Sequence, residues 1–138
     1  MPGAVDEFVV ELAGGVNAAA AARRAVTDRG PDLADPLHGD VLLLVSELVT
    51  NAVRHGGGGP GGSVRLECRR AGAWLRFLVS DRRPQLNGNG AAPALAPQST
   101  NGTPPSGWGL VLVERIADRW GVHDRPPDTS CVWFEVSA

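Results

Sequence analysis

Apolar positions along the chain fall into two kinds of pattern, short β-type runs and longer helical stretches. Phe8 to Leu12 is a compact apolar run with adjacent β-branched residues and predicts a first strand. Gly14-Gly15 breaks it. Asn17 then stands at an N-cap position before an Ala-rich helix, Ala18 to Asp28, which Gly30-Pro31 closes. A more regular helical pattern follows. Asp35 can cap it, Pro36 suits its first position, and it runs to about His55, where the glycines Gly56 to Gly59 stop it. Ser63 to Arg70 and Trp74 to Asp81 read as two strands of a hairpin that turns at Ala71-Gly72-Ala73.

From Arg82 to Ser106 the pattern stops. This stretch holds Pro84, Pro93, Pro97, Pro104 and Pro105 and almost no large apolar residue. A loop of that length inside a compact domain is a functional lid or a disordered segment, and it is read here as mobile. Gly107-Trp108-Gly109 then leads into a helix from about Leu110 to Trp120, ended by Gly121. Val122 to Asp124 predicts a short strand, Arg125 to Asp128 a turn, and Cys131 to Val136 a last strand with alternating faces. Helices thus fall between strands that are mainly antiparallel neighbours, over a single domain spanning residues 1–138. The expected fold is an α/β (α+β) two-layer sandwich, a mostly antiparallel sheet with helices on one face.

Composition narrows the chemistry. All 13 basic residues are Arg, and the chain has no Lys. A Walker-type phosphate loop, a Schiff-base enzyme and the protein-kinase fold each need a lysine and are excluded. A net charge of −2 supplies no electrostatic reason to expect nucleic acid or an anionic membrane as partner. The longest apolar run, Val41 to Val45, is far too short to span a bilayer, and the first residues have neither a basic region nor an apolar signal core. Cys68 and Cys131 are too few for a disulfide framework or a zinc site. A cytoplasmic protein is the expectation.

Three places carry candidate chemistry. In the second helix Glu47, Asn51 and His55 recur at intervals of four, which places them along one stripe. A carboxylate and a carboxamide so placed can form a hard-oxygen site for Mg²⁺, or the carboxylate can act as a general base. A solvated stripe on an amphipathic helix is the alternative, and His55 can equally cap the helix C-terminus. The glycine-flanked turn Ser106 to Leu110 feeds a helix, where free backbone N–H groups attract phosphate; simple turn chemistry is the alternative. Asp81 ends an apolar strand, where its carboxylate can accept from an exocyclic amine or merely form a turn.

Taken together these residues resemble the GHKL ATPase superfamily, and within it the short bacterial anti-sigma-factor serine/threonine kinases. Ser46 to Gly56 is similar to the asparagine box of that group, Val79-Ser80-Asp81 to the start of its first glycine box, and Gly107-Trp108-Gly109-Leu110 to its second. Val132-Trp133-Phe134-Glu135 resembles its closing strand. The resemblance implies a Bergerat fold with ATP between sheet and helices. It implies that Asn51 coordinates Mg²⁺ on the phosphates and that Glu47 is the general base. Asp81 would accept from the adenine amino group, and Gly107, Gly109 and Leu110 would present backbone N–H groups to phosphate. Arg82 to Ser106 would be the ATP lid. His55, inside the asparagine box, and Cys131, at the family's closing Gly-Lys-Thr-like triplet, complete the candidate nucleotide-binding set.

The sequence departs from the family at three points. Arg82-Arg83-Pro84 follows Asp81 where glycines are usual, Trp108 stands between the second-box glycines, and Thr129-Ser130-Cys131 replaces the triplet. Two functions follow from the resemblance. One is an ATP-dependent kinase that phosphorylates a small anti-anti-sigma antagonist protein, sequesters a sigma factor, or does both, with dimerisation left open. The other is a catalytically silent module that sequesters a partner with weak or no use of nucleotide.

Overall fold

The computed structural model describes residues 5–55, 57–82, 109–125 and 129–137. Most of the expected lid, Gly107 and most of the Arg125 to Asp128 turn lie outside the described residues. The elements are β1 (Val5–Ala13), α1 (Ala18–Arg29), α2 (Leu37–His55), β2 (Ser63–Ala71), β3 (Trp74–Arg82), α3 (Gly109–Ile116), β4 (Arg119–Arg125) and β5 (Thr129–Ser137). The strands form one five-stranded sheet in the order β1-β2-β3-β5-β4, with every pairing antiparallel.

Alternation dictates which face the helices cover. Val64, Leu66 and Cys68 of β2, Leu75, Phe77 and Val79 of β3, and Val132, Phe134 and Val136 of β5 are all buried. Arg65, Glu67 and Arg69 alternate with them on the open face. Phe77 and Phe134 are register partners and stack with ring centroids 5.2 Å apart. Onto this face α2 lays Val41, Leu44, Val45, Leu48, Val49 and Ala52, a run at helical spacing. It packs over β2 and β3, with α1 on the β1 side and α3 on the β4 side. The antiparallel sheet under one helical layer is the expected two-layer sandwich.

Three local expectations need correction. Asn17 occupies the N-cap position of α1 but makes no side-chain capping bond. The turn of the β2–β3 hairpin is tighter than expected: Ala71 pairs with Trp74, leaving two residues, with Gly72 at φ +65°. The last helix ends at Ile116, and Arg119 and Trp120 belong to β4. Ala117 N–H closes the helix on Val113 O, and Asp118 N–H is already bonded to Glu135 O of β5 at 2.9 Å. Trp120 packs against the core from the strand, and its indole N–H donates back to Glu114 at 2.9 Å. Gly121 therefore terminates no helix. It sits under Trp133, whose ring a Cβ there would meet at 2.8 Å.

The open face shows one use of an all-arginine inventory. Glu135 is 6% exposed and is paired by Arg76 and Arg119, each at 2.7 Å. Arg76 also lies over Trp133, 4.3 Å from the ring centroid, and Arg119 over Trp74 at 4.7 Å. A planar guanidinium can lie flat on a ring while its edge pairs with a carboxylate; a compact ammonium has no such plane to stack.

Cys68 and Cys131 form no disulfide. Burial pushes the Cys68 thiol up to about 12, with the nearby Glu7 carboxylate adding to the rise and Arg70 opposing it. A thiol whose ionisation folding moves to higher pH adds stability below its unfolded value and loses it as pH climbs toward the folded one. Stability is therefore expected to fall from about pH 9 upward toward 12, with the Cys68→Ser variant showing a flatter profile. Iodoacetamide at pH 8 should leave Cys68 unmodified in the folded chain and label it only on unfolding; labelling at native rates would contradict this. No helix among the described residues is long and apolar enough to cross a membrane.

Candidate functional site

The polar stripe on α2 is graded in burial, and helix geometry explains the gradient. Successive residues advance about 100°, so each four-residue step drifts about 40° around the axis. From Glu47 to Asn51 the drift turns the stripe toward the sheet. Glu47 is half-buried, whereas Asn51 is 3% exposed. A solvated stripe is thus not what Asn51 occupies. His55 completes the spacing at the last position of α2, and its side chain lies outside the described residues.

The flank of the stripe can also be placed. Ser46 accepts a hydrogen bond from Arg23 of α1 at 2.8 Å, which marks the α1 side of α2. Glu47 and Asn51 project from the opposite flank. That flank faces α3, because α1 and α3 pack against α2 from opposite ends of the sheet. Gly109 begins α3, so the expected phosphate turn feeds the element beside Asn51. Backbone at Gly109 and Leu110 is helical; Gly107 lies outside the described residues. No hydrogen bond joins the Asn51 carboxamide to another described residue, although the side chain is almost wholly buried.

Asp81 stands near the end of β3, in phase with buried Leu75, Phe77 and Val79, and is 4% exposed. A buried carboxylate requires donors. One comes from Gly57, whose buried N–H donates to Asp81 Oδ1 at 3.1 Å. Gly57 lies two residues beyond the end of α2, so this bond ties Asp81 to the same end of the helix that carries Asn51.

The glycine run is therefore more than a helix stop. Gly58 N–H returns to Ala52 O at 3.1 Å, Gly62 N–H to Gly59 O at 2.8 Å, and Gly15 N–H reaches Gly58 O at 2.9 Å. Backbone segments approach so closely that a Cβ at Gly14 would fall 2.2 Å from Gly59 O, and one at Gly62 2.0 Å from Gly57 O. Sequence reasoning missed Gly57 and the Gly14-Gly15 contact. A signal existed: one glycine suffices to end a helix, and this run holds several more.

Cys131 does not join this group. It alternates with buried Val132, Phe134 and Val136, so it faces the open side of the sheet, opposite to Asp81. The register partner of Asp81 is Ser130, one residue earlier.

Comparison with known proteins decides the family. Histidine kinase-like ATPase domains match residues 10–135. The chain belongs to that family. An uncharacterized protein of Streptomyces coelicolor is 35% identical to this ATPase domain over 81 residues, which cover 59% of this chain and 70% of that protein.

The donors of this ATPase domain suit a cation only in combination with other ligands. Asn51 offers one carboxamide oxygen and Glu47 one carboxylate. Among the described residues, no three His, Cys, Asp or Glu side chains converge as a metal cage. A cation held here takes most of its shell from water and phosphate oxygens, which is the habit of Mg²⁺.

Proposed function

We propose that this ATPase domain binds Mg–ATP and acts as a regulator of the anti-sigma-factor type, transferring phosphate to a serine or threonine of a small antagonist protein or sequestering a sigma factor. The observation that carries the reading is the burial of two polar side chains, Asn51 in the last turns of α2 and Asp81, which the Gly57 bond ties to the end of that helix. Folding leaves polar groups this buried only where something repays their desolvation. The Mg–ATP complex, when bound, supplies the phosphoryl group. Asn51 would hold the cation, and Asp81 would accept from the exocyclic amine of adenine. Backbone N–H groups at Gly107, Gly109 and Leu110 would face phosphate. Glu47, less buried than Asn51 and one turn before it, would take the proton from the attacking hydroxyl. Cytoplasmic residence fits this role.

The test uses the purified chain with radiolabelled Mg–ATP and a candidate antagonist protein. Phosphate transfer is expected, falling by about 10²–10⁴-fold in Glu47→Ala, with ATP affinity changed less than about threefold. Transfer persisting in that variant would remove Glu47 as the base. A second reading, a silent sequestering module, is favoured by Cys131, which lies on the sheet face opposite Asp81. Partner capture without any ATP binding at millimolar nucleotide would favour it over the first.

A further inference from the structure

The open face of the sheet carries chemistry that the nucleotide site does not use. Two triads of the same form stand side by side on it. Glu67 of β2 is shared by Arg65 at 3.1 Å and Arg69 at 3.2 Å, and Glu135 of β5 by Arg76 and Arg119, each at 2.7 Å. In both, the carboxylate is the covered member. The two glutamate side chains are 12% and 7% exposed, and the four arginine side chains lie between 41% and 59%. Each triad holds one positive charge more than it neutralises, and what it turns to solvent is guanidinium. Register joins them: Arg69 is the partner of Arg76, so the row Arg69, Arg76, Glu135, Arg119 crosses four strands.

The excess holds over the whole face. Counted by register position, Arg82 and Arg125 join these four arginines, against Asp6, Glu11, Glu67 and Glu135. The other seven arginines of the chain stand against eleven acidic residues. A chain of net charge −2 thus gathers two excess positive charges on one face of its sheet and leaves −4 for the rest. Asp6 and Glu11 both belong to the edge strand β1, where Glu11 reaches Arg65 at 3.8 Å, so the basic part is the middle of the sheet and its β4 side.

Two tryptophans hold the guanidiniums in place. Arg76 lies 4.3 Å from the Trp133 ring centroid and Arg119 4.7 Å from that of Trp74, and both rings are half-buried. A stacked guanidinium has little rotamer freedom left to lose on binding. Tryptophan and arginine are also the residues that most often anchor protein interfaces. Val9 and Leu78, half-buried in the register row of Trp133, add apolar area beside the charges. We propose that this face docks an acidic segment of a partner protein, whose carboxylates pair with the outer edges of the guanidiniums. A second copy seated face to face would bring the same positive excess, so like charge opposes it. The carboxylates built into the face oppose a nucleic-acid strand, whose backbone is negative throughout. Asn51 and Asp81 belong to the helical side, so docking here needs no nucleotide and stands apart from the Mg–ATP reading.

Fluorescence anisotropy with labelled poly-L-glutamate of about 20 residues tests this, beside an oligothymidylate of equal length and without nucleotide. The wild-type chain should bind polyglutamate with a Kd below about 100 µM at about 50 mM salt, weakening at least about tenfold at about 300 mM. Arg69→Gln combined with Arg119→Gln removes the excess charge yet leaves each carboxylate one arginine, Arg65 for Glu67 and Arg76 for Glu135. Affinity should fall at least about tenfold in that variant. Arg24→Gln combined with Arg115→Gln, at two exposed positions of the helical layer, changes the net charge equally and should keep affinity within about threefold. Equal losses in the two double variants overturn the proposal, as does a wild-type chain that leaves polyglutamate unbound at low salt. Tighter binding of the oligothymidylate than of polyglutamate also overturns it and makes the face a nucleic-acid surface. A wild-type dimer in sedimentation velocity that Arg69→Gln with Arg119→Gln turns into a monomer overturns it as well, since a second copy then covers the face. If that pair melts below wild type, Arg69→Gln alone decides: about a threefold loss is expected, and an unchanged affinity is the contrary result. Failure to bind ATP would sink the Mg–ATP reading and leave this outcome untouched.

Discussion

Asn51→Ala is expected to weaken Mg-dependent ATP binding about a hundredfold while leaving the melting temperature of the nucleotide-free chain unchanged or slightly raised. The two halves of this expectation come from one observation. Asn51 is almost fully buried, and its carboxamide bonds to no other described residue. Alanine is a better helix former than asparagine, by up to about 0.7 kcal/mol. Removing the side chain therefore costs packing volume and returns helix propensity. A hundredfold loss of affinity corresponds to about 2.7 kcal/mol, the scale of one charge-assisted contact. Calorimetry with and without Mg²⁺, run beside thermal melts, separates the outcomes. Equal affinity in wild type and variant would mean that the assigned metal site is wrong. A large fall in melting temperature would make Asn51 a structural residue instead.

The largest stability effect is expected at Gly14→Ala, at about 3–5 kcal/mol. A Cβ there lands 2.2 Å from Gly59 O and 2.3 Å from Gly58 O, and both obstacles are backbone. No rotamer relieves that contact. The β1–α1 turn has to move off the glycine run, and the bonds Gly14 N–H to Gly62 O and Gly15 N–H to Gly58 O are the ones that lengthen. Overpacking alone costs about 1–3 kcal/mol, and each weakened bond adds about 1 kcal/mol. Against a total stability of about 5–15 kcal/mol, a fall in melting temperature of about 10 °C or more follows. Gly72→Ala is the comparison. Its φ of +65° strains an alanine, yet nothing lies within 4 Å of the added Cβ. About 1 kcal/mol is expected there. Equal losses at the two positions would show that backbone conformation, and not the close approach, governs Gly14. Because Gly58 and Gly59 follow Gly57 directly, Gly14→Ala should also loosen Asp81 and lower nucleotide affinity in whatever fraction remains folded.

Much of the architecture was legible because it depends on local pattern. Val64, Leu66 and Cys68 alternate with charged residues, so β2 and its buried face could be read directly. The apolar circumference of α2 is equally plain. The end of α3 was not legible, and the reason is specific. Val113, Ala117 and Trp120 keep helical spacing across the true boundary, so periodicity extends the helix to Trp120. What ends it at Ile116 is distant in sequence: the bond from Asp118 N–H to Glu135 O, and the pairing of Arg119 with Glu135. Tertiary contacts of β5 override the local pattern.

The candidate site divides along the same line. Residue types and spacings are properties of the chain, so Glu47 and Asn51 could be placed on one stripe of one helix, and Asp81 at a strand end, without coordinates. Whether a residue faces ligand, core or open surface depends on register and packing. A shift of one position reverses a strand's faces, which is why Cys131 could be matched by sequence position and yet lie across the sheet from Asp81. The Gly57 donor is the plainest case. Its partner is 24 residues away, its group is a backbone N–H that every non-proline residue carries, and nothing in the identity of a glycine announces the bond. Chain pattern set the elements and the chemistry available to them, because periodicity and propensity act over a few residues. Only the pairing of β2 with β3 and the seating of α2 on the sheet decided which of those groups share a space.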